Sequence, residues 1–212
     1  MKIDFVSDVS CPWCAIGLKS LEEALTRIPD LKVELHFQPF ELNPNMVPEG
    51  EDITEHLSRK YGLPAAQLEA NRDAIRQRGA AVGFDFVQGA RSRIYNTFDA
   101  HRLLHWAGLQ GGDFQRDLKL ALFGAYFTDG KDPSDHALLL ERAVAVGLNA
   151  DEARAVLQSD QFAQDVREAE SYYQQHGINS VPAVIINDRH LISGGQPPEM
   201  FERALRQIAA ED

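Results

Sequence analysis

The sequence predicts an α/β fold: a small strand-and-helix unit interrupted by an all-helical insertion. Three observations point there. An apolar run at the N-terminus leads straight into Cys11-Pro12-Trp13-Cys14 and then into helical periodicity. The long middle of the chain carries apolar spacings of three and four residues. From Ala183 onward the chain returns to β-branched residues, a turn and a last amphipathic helix.

Taken in order, Ile3, Phe5, Val6 and Val9 make residues 2–9 compatible with a buried strand. Pro12 suits the first turn of the next helix, where its missing N–H would have no partner anyway. Leu18, Leu21, Leu25 and Ile28 recur at helical spacing until Pro29-Asp30 ends the run. Val33, Leu35 and Phe37 alternate with Glu34 and His36, which is strand periodicity. Strand, motif, helix and strand predict a right-handed crossover with the two cysteines at the helix start.

In the middle, residues 63–78, 94–107 and 114–127 each show helix-like apolar spacing. Asp132, Pro133 and Asp135 read as N-cap, N1 and N3 of a helix that stops near Gly147. Asn149 and Glu152 predict a capping box for a shorter helix after it. Phe162, Val166, Ala169 and Tyr173 mark one more, closed by Gly177. Residues 183–187 form a strand, Asp188-Arg189 a turn, and residues 190–193 the returning strand of a hairpin. Gly194-Gly195 breaks the hairpin, and Pro197 opens a helix with Phe201, Leu205 and Ile208 on one face. Residues 1–48 and 160–212 total about 100, the size of one small α/β domain. Residues 49–159 are the insertion, expected to cover the core and leave a cleft above Cys11, so the whole chain reads as one composite domain.

Composition narrows the function. The 212 residues are 44% hydrophobic and 25% charged, which is globular. With 32 acidic against 21 basic side chains, the net charge of -11 repels phosphate backbones and anionic lipid. Neither nucleic acid nor membrane is expected as a partner. The longest stretch free of Asp, Glu, Lys and Arg, residues 171–187, contains Gln, His, Gly and Pro and cannot span a bilayer. The N-terminal residues carry charge where a signal peptide needs an apolar segment, so a cytoplasmic location is expected.

The two cysteines of the chain sit in one C-x-x-C. A disulfide closing so short a loop removes little chain entropy, so a structural staple gains little. A zinc site would need two further ligands, and no second cysteine pair supplies them. What remains is a dithiol that cycles. Free N–H groups and the positive dipole end at a helix start favour a thiolate at Cys11, while Cys14 is shielded one turn further in. Cys11 is therefore the attacking sulfur and Cys14 the resolving one. Asp8 is a candidate proton relay for Cys14, against a plainer reading as a turn or cap residue. Trp13 is a candidate substrate-facing surface. His101 and His105 are spaced i, i+4, but no carboxylate or Cys completes a helical metal motif, so no metal site is assigned. Arg72, Arg76, Arg78, Arg91 and Arg93 make a locally basic stretch, read as a solvated helix face in preference to an anion or glutathione site.

These features resemble the thioredoxin fold of the DsbA family, and more narrowly its cytoplasmic FrnE-type branch of dithiol–disulfide isomerases. The resemblance is carried by residues 7–14, Phe40-Glu41-Leu42-Asn43-Pro44, residues 96–105, residues 121–129, Val181-Pro182 and Ser193-Gly194-Gly195-Gln196-Pro197. It implies a four-stranded mixed sheet with flanking helices and a cis Val181-Pro182 bond facing the dithiol. The Val181 backbone would offer hydrogen bonds to an extended substrate strand. It also implies thiol–disulfide exchange or isomerisation on a protein or small-molecule substrate. No cofactor would be tightly bound, and glutathione would serve as redox partner. Activities that need a second cysteine pair are not expected here. Two other functions compete. One is a glutathione-dependent isomerase or transferase similar to 2-hydroxychromene-2-carboxylate isomerase, where a Ser takes the active-site turn; Ser10 sits next to Cys11. The other is a non-catalytic binding or chaperone-like module. Retention of both cysteines favours exchange.

Overall fold

Ile3 to Ser7 are all buried, as residues of a strand covered on both faces must be. In a computed structural model describing residues 1–211, this strand is β1 (Lys2–Ser7). It is followed by α1 (Pro12–Thr26) and β2 (Glu34–Pro39). Next come the two-residue β3 (Glu51–Asp52), α2 (Ile53–Tyr61), α3 (Ala65–Ala81) and the equally short β4 (Arg93–Ile94). Then α4 (Phe98–Leu109) and α5 (Phe114–Phe123) lead into a π turn at Gly124–Thr128. The chain closes with α6 (His136–Ala145), α7 (Ala150–Leu157), α8 (Ala163–Gln175), β5 (Ala183–Ile186), β6 (His190–Ser193) and α9 (Pro198–Ala209).

The main sheet has the order β2-β1-β5-β6. β1 runs parallel to β2, with Phe5 opposite Phe37, and antiparallel to β5, with Phe5 opposite Val184. β5 and β6 form the predicted hairpin. This is the mixed four-stranded sheet with flanking helices expected from the sequence, and it places the loop after β1 beside the segment before β5.

Several boundaries differ for identifiable reasons. β1 stops at Ser7 because the Cys11 N–H donates to the Asp8 carbonyl at 3.1 Å, turning the chain into α1. The helix expected over residues 63–78 is α3, and a shorter helix that the apolar spacing did not give, α2, precedes it. Asp52 caps α2 by accepting the Thr54 and Glu55 N–H groups, and Gly62 ends it at φ +66°. Ile94 is not helical but pairs in β4 with Glu51 of β3, so the insertion is not all-helical. Asp135, not Asp132, caps α6 by accepting the Ala137 N–H; Asp132 instead accepts from Ser134 in the turn ahead. The hairpin turn is Asn187-Asp188, at φ +51° and +55°, a left-handed geometry that Asn and Asp tolerate best.

Two apolar cores meet along α5. One joins the sheet to α1 and α9 through Phe5, Leu18, Leu21, Val184, Phe201 and Leu205, and it also includes Phe123, Tyr126 and Phe127. The other joins α4, α5, α6 and α7 through Leu103, Leu118, Leu122, Leu139 and Val156, with Val9 from the loop after β1. Phe123 and Leu122 are neighbours in sequence yet serve different cores, so α5 fastens the insertion to the sheet. Phe123→Ala should therefore destabilise the fold by about 3–5 kcal/mol through lost burial and a cavity. Urea unfolding read at two probes, one per core, should show both transitions shifting together; a shift confined to one probe would refute this account of α5.

Candidate active site

The two cysteines stand where α1 begins. Cys11 is the N-cap residue, with extended backbone (φ -92°, ψ 114°), Pro12 follows in the first turn, and no side-chain oxygen caps the helix. The sulfur thus occupies the region a capping oxygen normally fills. Both residues are free thiols and both are buried, Cys11 at 4% and Cys14 at 0% exposure. The Cys11 thiol lies 3.7 Å from the Val181 carbonyl, to which it donates.

Their acidities are driven apart. The hydrogen bond from the Cys14 thiol, helped by the backbone N–H groups of Cys14 and Trp13, lowers Cys11 below an ordinary thiol. Burial and the Asp8 charge oppose this and are outweighed. Cys14 is pushed well above the ordinary value, first by burial and then by its interaction with Cys11; the Lys119 charge acts the other way.

Opposite the motif, Val181-Pro182 is a cis peptide bond. Gly194 donates its N–H to the Pro182 carbonyl at 2.8 Å, tying the 193–196 turn to this segment. Packing leaves no room for larger residues. A Cβ on Gly195 would lie 2.9 Å from the Trp13 carbonyl oxygen, and one on Gly17 3.0 Å from Pro182 Cγ. That close approach explains a glycine inside α1, where it costs about 1 kcal/mol relative to alanine.

With this geometry in view, comparison with known proteins is decisive. The DSBA-like thioredoxin domain family matches residues 2–206. The chain belongs to that family. Among solved structures it is similar to a probable DsbA oxidoreductase from Streptomyces coelicolor, at 34% identity and a TM-score of 0.93, covering 100% of this chain and 91% of that one. It also resembles the cytosolic disulfide reductase DsbM from Pseudomonas aeruginosa, solved with GSH, at 16% identity and a TM-score of 0.67, covering 99% and 100%. Among curated proteins it is 26% identical over 204 residues to YwbO of Bacillus subtilis (strain 168), a protein described as uncharacterized, covering 96% of this chain and 94% of that one.

The remaining sequence candidates of this DSBA-like chain have different partners. Asp8 is fully buried: Oδ1 accepts the Ser10 N–H at 3.1 Å, and Oδ2 accepts the Ser10 hydroxyl at 2.9 Å and the Leu42 N–H at 2.8 Å. Burial pushes its pKa up, but His101 and the two N–H groups outweigh that and hold it at about 2. Ser10 is buried with its hydroxyl committed to Asp8. His101 Nε2 lies 3.5 Å from Asp8 Oδ1, an ion-pair distance, and makes no hydrogen bond. His105 instead stacks on Phe162 at 5.2 Å, so the two histidines have separate partners. Among the described residues no group of three His, Cys, Asp or Glu is gathered as a metal would need. Trp13 is half-buried beneath Arg78, whose guanidinium lies 5.7 Å from the ring and donates to the Gly195 carbonyl at 2.7 Å. The arginines are not one solvated face: Arg78 covers Trp13, Arg93 binds the Glu49 and Gly50 carbonyls, and Arg91 donates to the Ser10 carbonyl.

Sequence reasoning missed Lys119. It lies on α5 and is 1% exposed, lining with His101, His105 and Gln38 a cavity of about 10 Å³, close to the room one water needs. Burial lowers its pKa to about 8, against the raising charges of Cys14, Asp8 and Cys11. A lone lysine on an amphipathic helix carries no signal that it will be enclosed. Keeping it charged costs stability below about pH 8, a cost that fades as pH rises into the ordinary lysine range. Lys119→Met should therefore stabilise the fold at neutral pH by an amount on the order of 2 kcal/mol and raise the Cys14 pKa. Urea denaturation and an ultraviolet thiolate titration would read the two effects; an unmoved Cys14 titration would contradict the electrostatic link.

Proposed function

We propose that the protein is a thiol–disulfide oxidoreductase of the cytoplasmic FrnE-like kind, in which Cys11 attacks and Cys14 resolves. The observation that carries this reading is the pair of free thiols at one helix start facing the cis Val181-Pro182 bond, with Cys11 Sγ 3.7 Å from the Val181 carbonyl oxygen. The Cys11 thiolate attacks one sulfur of a substrate disulfide, forming a mixed disulfide and expelling the other sulfur as a thiolate. Once Cys11 is in that bond it no longer carries the charge that holds the Cys14 proton. Cys14 then ionises more readily, attacks Cys11 Sγ and releases the second substrate thiol. Two electrons pass from the protein dithiol to the substrate, and the reverse sequence oxidises a substrate dithiol.

The Cys14 proton needs an acceptor in a site without bulk water. Asp8 is the proposed relay; held at about 2, it passes a proton onward rather than keeping it. Lys119, still charged near neutral pH at a pKa of about 8, assists by stabilising the thiolate that forms at Cys14. Trp13, Val181 and Pro182 form the surface proposed for an extended protein substrate. Glutathione is the proposed redox partner rather than a resident cofactor, a reading the DsbM structure with GSH supports. The buried, Asp8-bound Ser10 hydroxyl favours dithiol exchange over a serine-based glutathione isomerase.

The test is mass spectrometry of single-cysteine variants after incubation with glutathione disulfide. Cys14→Ser should accumulate a glutathione adduct on Cys11, because attack occurs and nothing resolves it. Cys11→Ser should stay unmodified and lose exchange activity. An adduct on Cys14 in Cys11→Ser, with Cys14→Ser unmodified, would reverse the roles; no adduct in either variant, with inert wild type, would discard the proposal.

A further inference from the structure

A cleft of about 360 Å³ reaches the start of α1 at Pro12, between the two cysteines in sequence though lined by neither, and the exchange chemistry above does not use it. Pro12 and Phe127 form part of its wall, and Arg72, Arg76 and Arg91 line it. Val181 and Pro182 are not among its lining residues, so it is separate from the surface proposed for an extended substrate. Its volume is near the lower end of small-ligand sites, which run from about 300 to 1,000 Å³. A tripeptide-sized molecule suits it; a folded protein segment does not.

The charges in the cleft are unequally satisfied. Asp52 uses Oδ1 to cap α2. Glu69 lies 3.2 Å from Arg72 and 3.7 Å from Arg76, and Arg76 also pairs with Asp73. Arg91 is different: among the described residues it has no carboxylate within ion-pair distance, in a chain with 32 acidic side chains. Its guanidinium is held from behind, 5.4 Å from the Tyr126 ring centre and 5.1 Å from that of Phe127, and one nitrogen donates to the Ser10 carbonyl at 3.3 Å. A guanidinium has five N–H donors, so most of its capacity is uncommitted to backbone or acid. A half-buried cation fixed by aromatic faces, unneutralised and anchored one residue from Cys11, has the geometry of an anion receptor.

We infer that this cleft is a carboxylate-binding subsite for a low-molecular-mass acidic disulfide and its thiol, with Arg91 the principal anchor and Arg72 and Arg76 in support. The inference rests on the exchange reading and names its small-molecule substrate class. Arg91 holds a carboxylate while Cys11 attacks the disulfide sulfur a few bonds away. Cys14 then closes the Cys11–Cys14 disulfide. One acidic disulfide becomes two thiols, the dithiol supplies two electrons, and the two thiol protons come from Cys14 and solvent.

The experiment compares rate constants of the reduced protein with glutathione disulfide and with the uncharged 2-hydroxyethyl disulfide. Arg91→Gln should lower the ratio of the two constants about tenfold, the loss expected for one charge-assisted contact at a partly exposed site. Arg91→Lys, which keeps the charge without the planar fork, should fall between wild type and Arg91→Gln. Independently of any variant's folding, S-methylglutathione, which cannot exchange, should inhibit the wild type competitively against glutathione disulfide. Equal ratios in wild type and Arg91→Gln, or no inhibition by S-methylglutathione, would overturn the subsite while exchange with the uncharged disulfide leaves the oxidoreductase reading standing. A wild type inert to both disulfides would instead defeat the oxidoreductase reading, and the subsite with it.

Discussion

The arrangement of this site depends on a sulfur standing where an oxygen would normally cap a helix. Cys11 is the N-cap of α1, and Pro12 contributes no N–H, so the nearest donors are the N–H groups of Trp13 and Cys14, the latter also donating to the Cys11 carbonyl at 3.1 Å. Both lower the Cys11 pKa, and the Cys14 thiol does so most. No acidic side chain occupies the first turn of α1 to cancel the effect. The same contact acts in the opposite sense on Cys14, which stays protonated while Cys11 carries the charge. Burial of Cys14 and one hydrogen bond within the first turn together make two chemically identical groups unequal.

That inequality is set in a field assembled from distant parts of the chain. Asp8 comes from the loop after β1, His101 from α4 and Lys119 from α5, and all are buried. Enclosing charged groups opposes folding unless partners compensate, and Lys119 is compensated only in part, as its pKa of about 8 records. The insertion thus does more than cover the sheet. It supplies a positive charge that favours ionisation of Cys14 and a histidine that helps hold Asp8 charged. The cysteine pair on α1 is in this way adjusted by side chains outside the strand-and-helix unit.

What was legible in the sequence follows from how local each cause is. The sheet, the hairpin and α1 were readable because alternation, β-branching and Pro12 act over a few residues. Cys11 and Cys14 were readable because their spacing and helix position are local too. The helix N-cap at Asp135 was misplaced because Asp132, Ser134 and Asp135 all offer capping chemistry, and tertiary packing decides among them. β4 was hidden because two residues carry no periodicity, and its pairing with β3 is long-range. Lys119 was invisible for the same reason, and Arg91 was visible only as one of a basic run read as a solvated face: burial of one charge and isolation of another are properties of the folded surroundings.

Access to Cys11 is the remaining constraint, because the residue is only 4% exposed and a bulky partner reaches it with some displacement of its surroundings. The surrounding contacts differ greatly in strength. Toward the core, Cys14 and Pro182 are enclosed by Gly17, Phe5 and the sheet, and moving them would reopen well-packed apolar surface. Toward solvent, Trp13 is covered by one guanidinium at 5.7 Å and one hydrogen bond from Arg78 to Gly195. Those two contacts are worth about 1 kcal/mol each at an exposed position. Of these displacements the least costly is therefore the release of Arg78 from Trp13 and Gly195. A binding partner that covers Trp13 would replace the two contacts that this release loses.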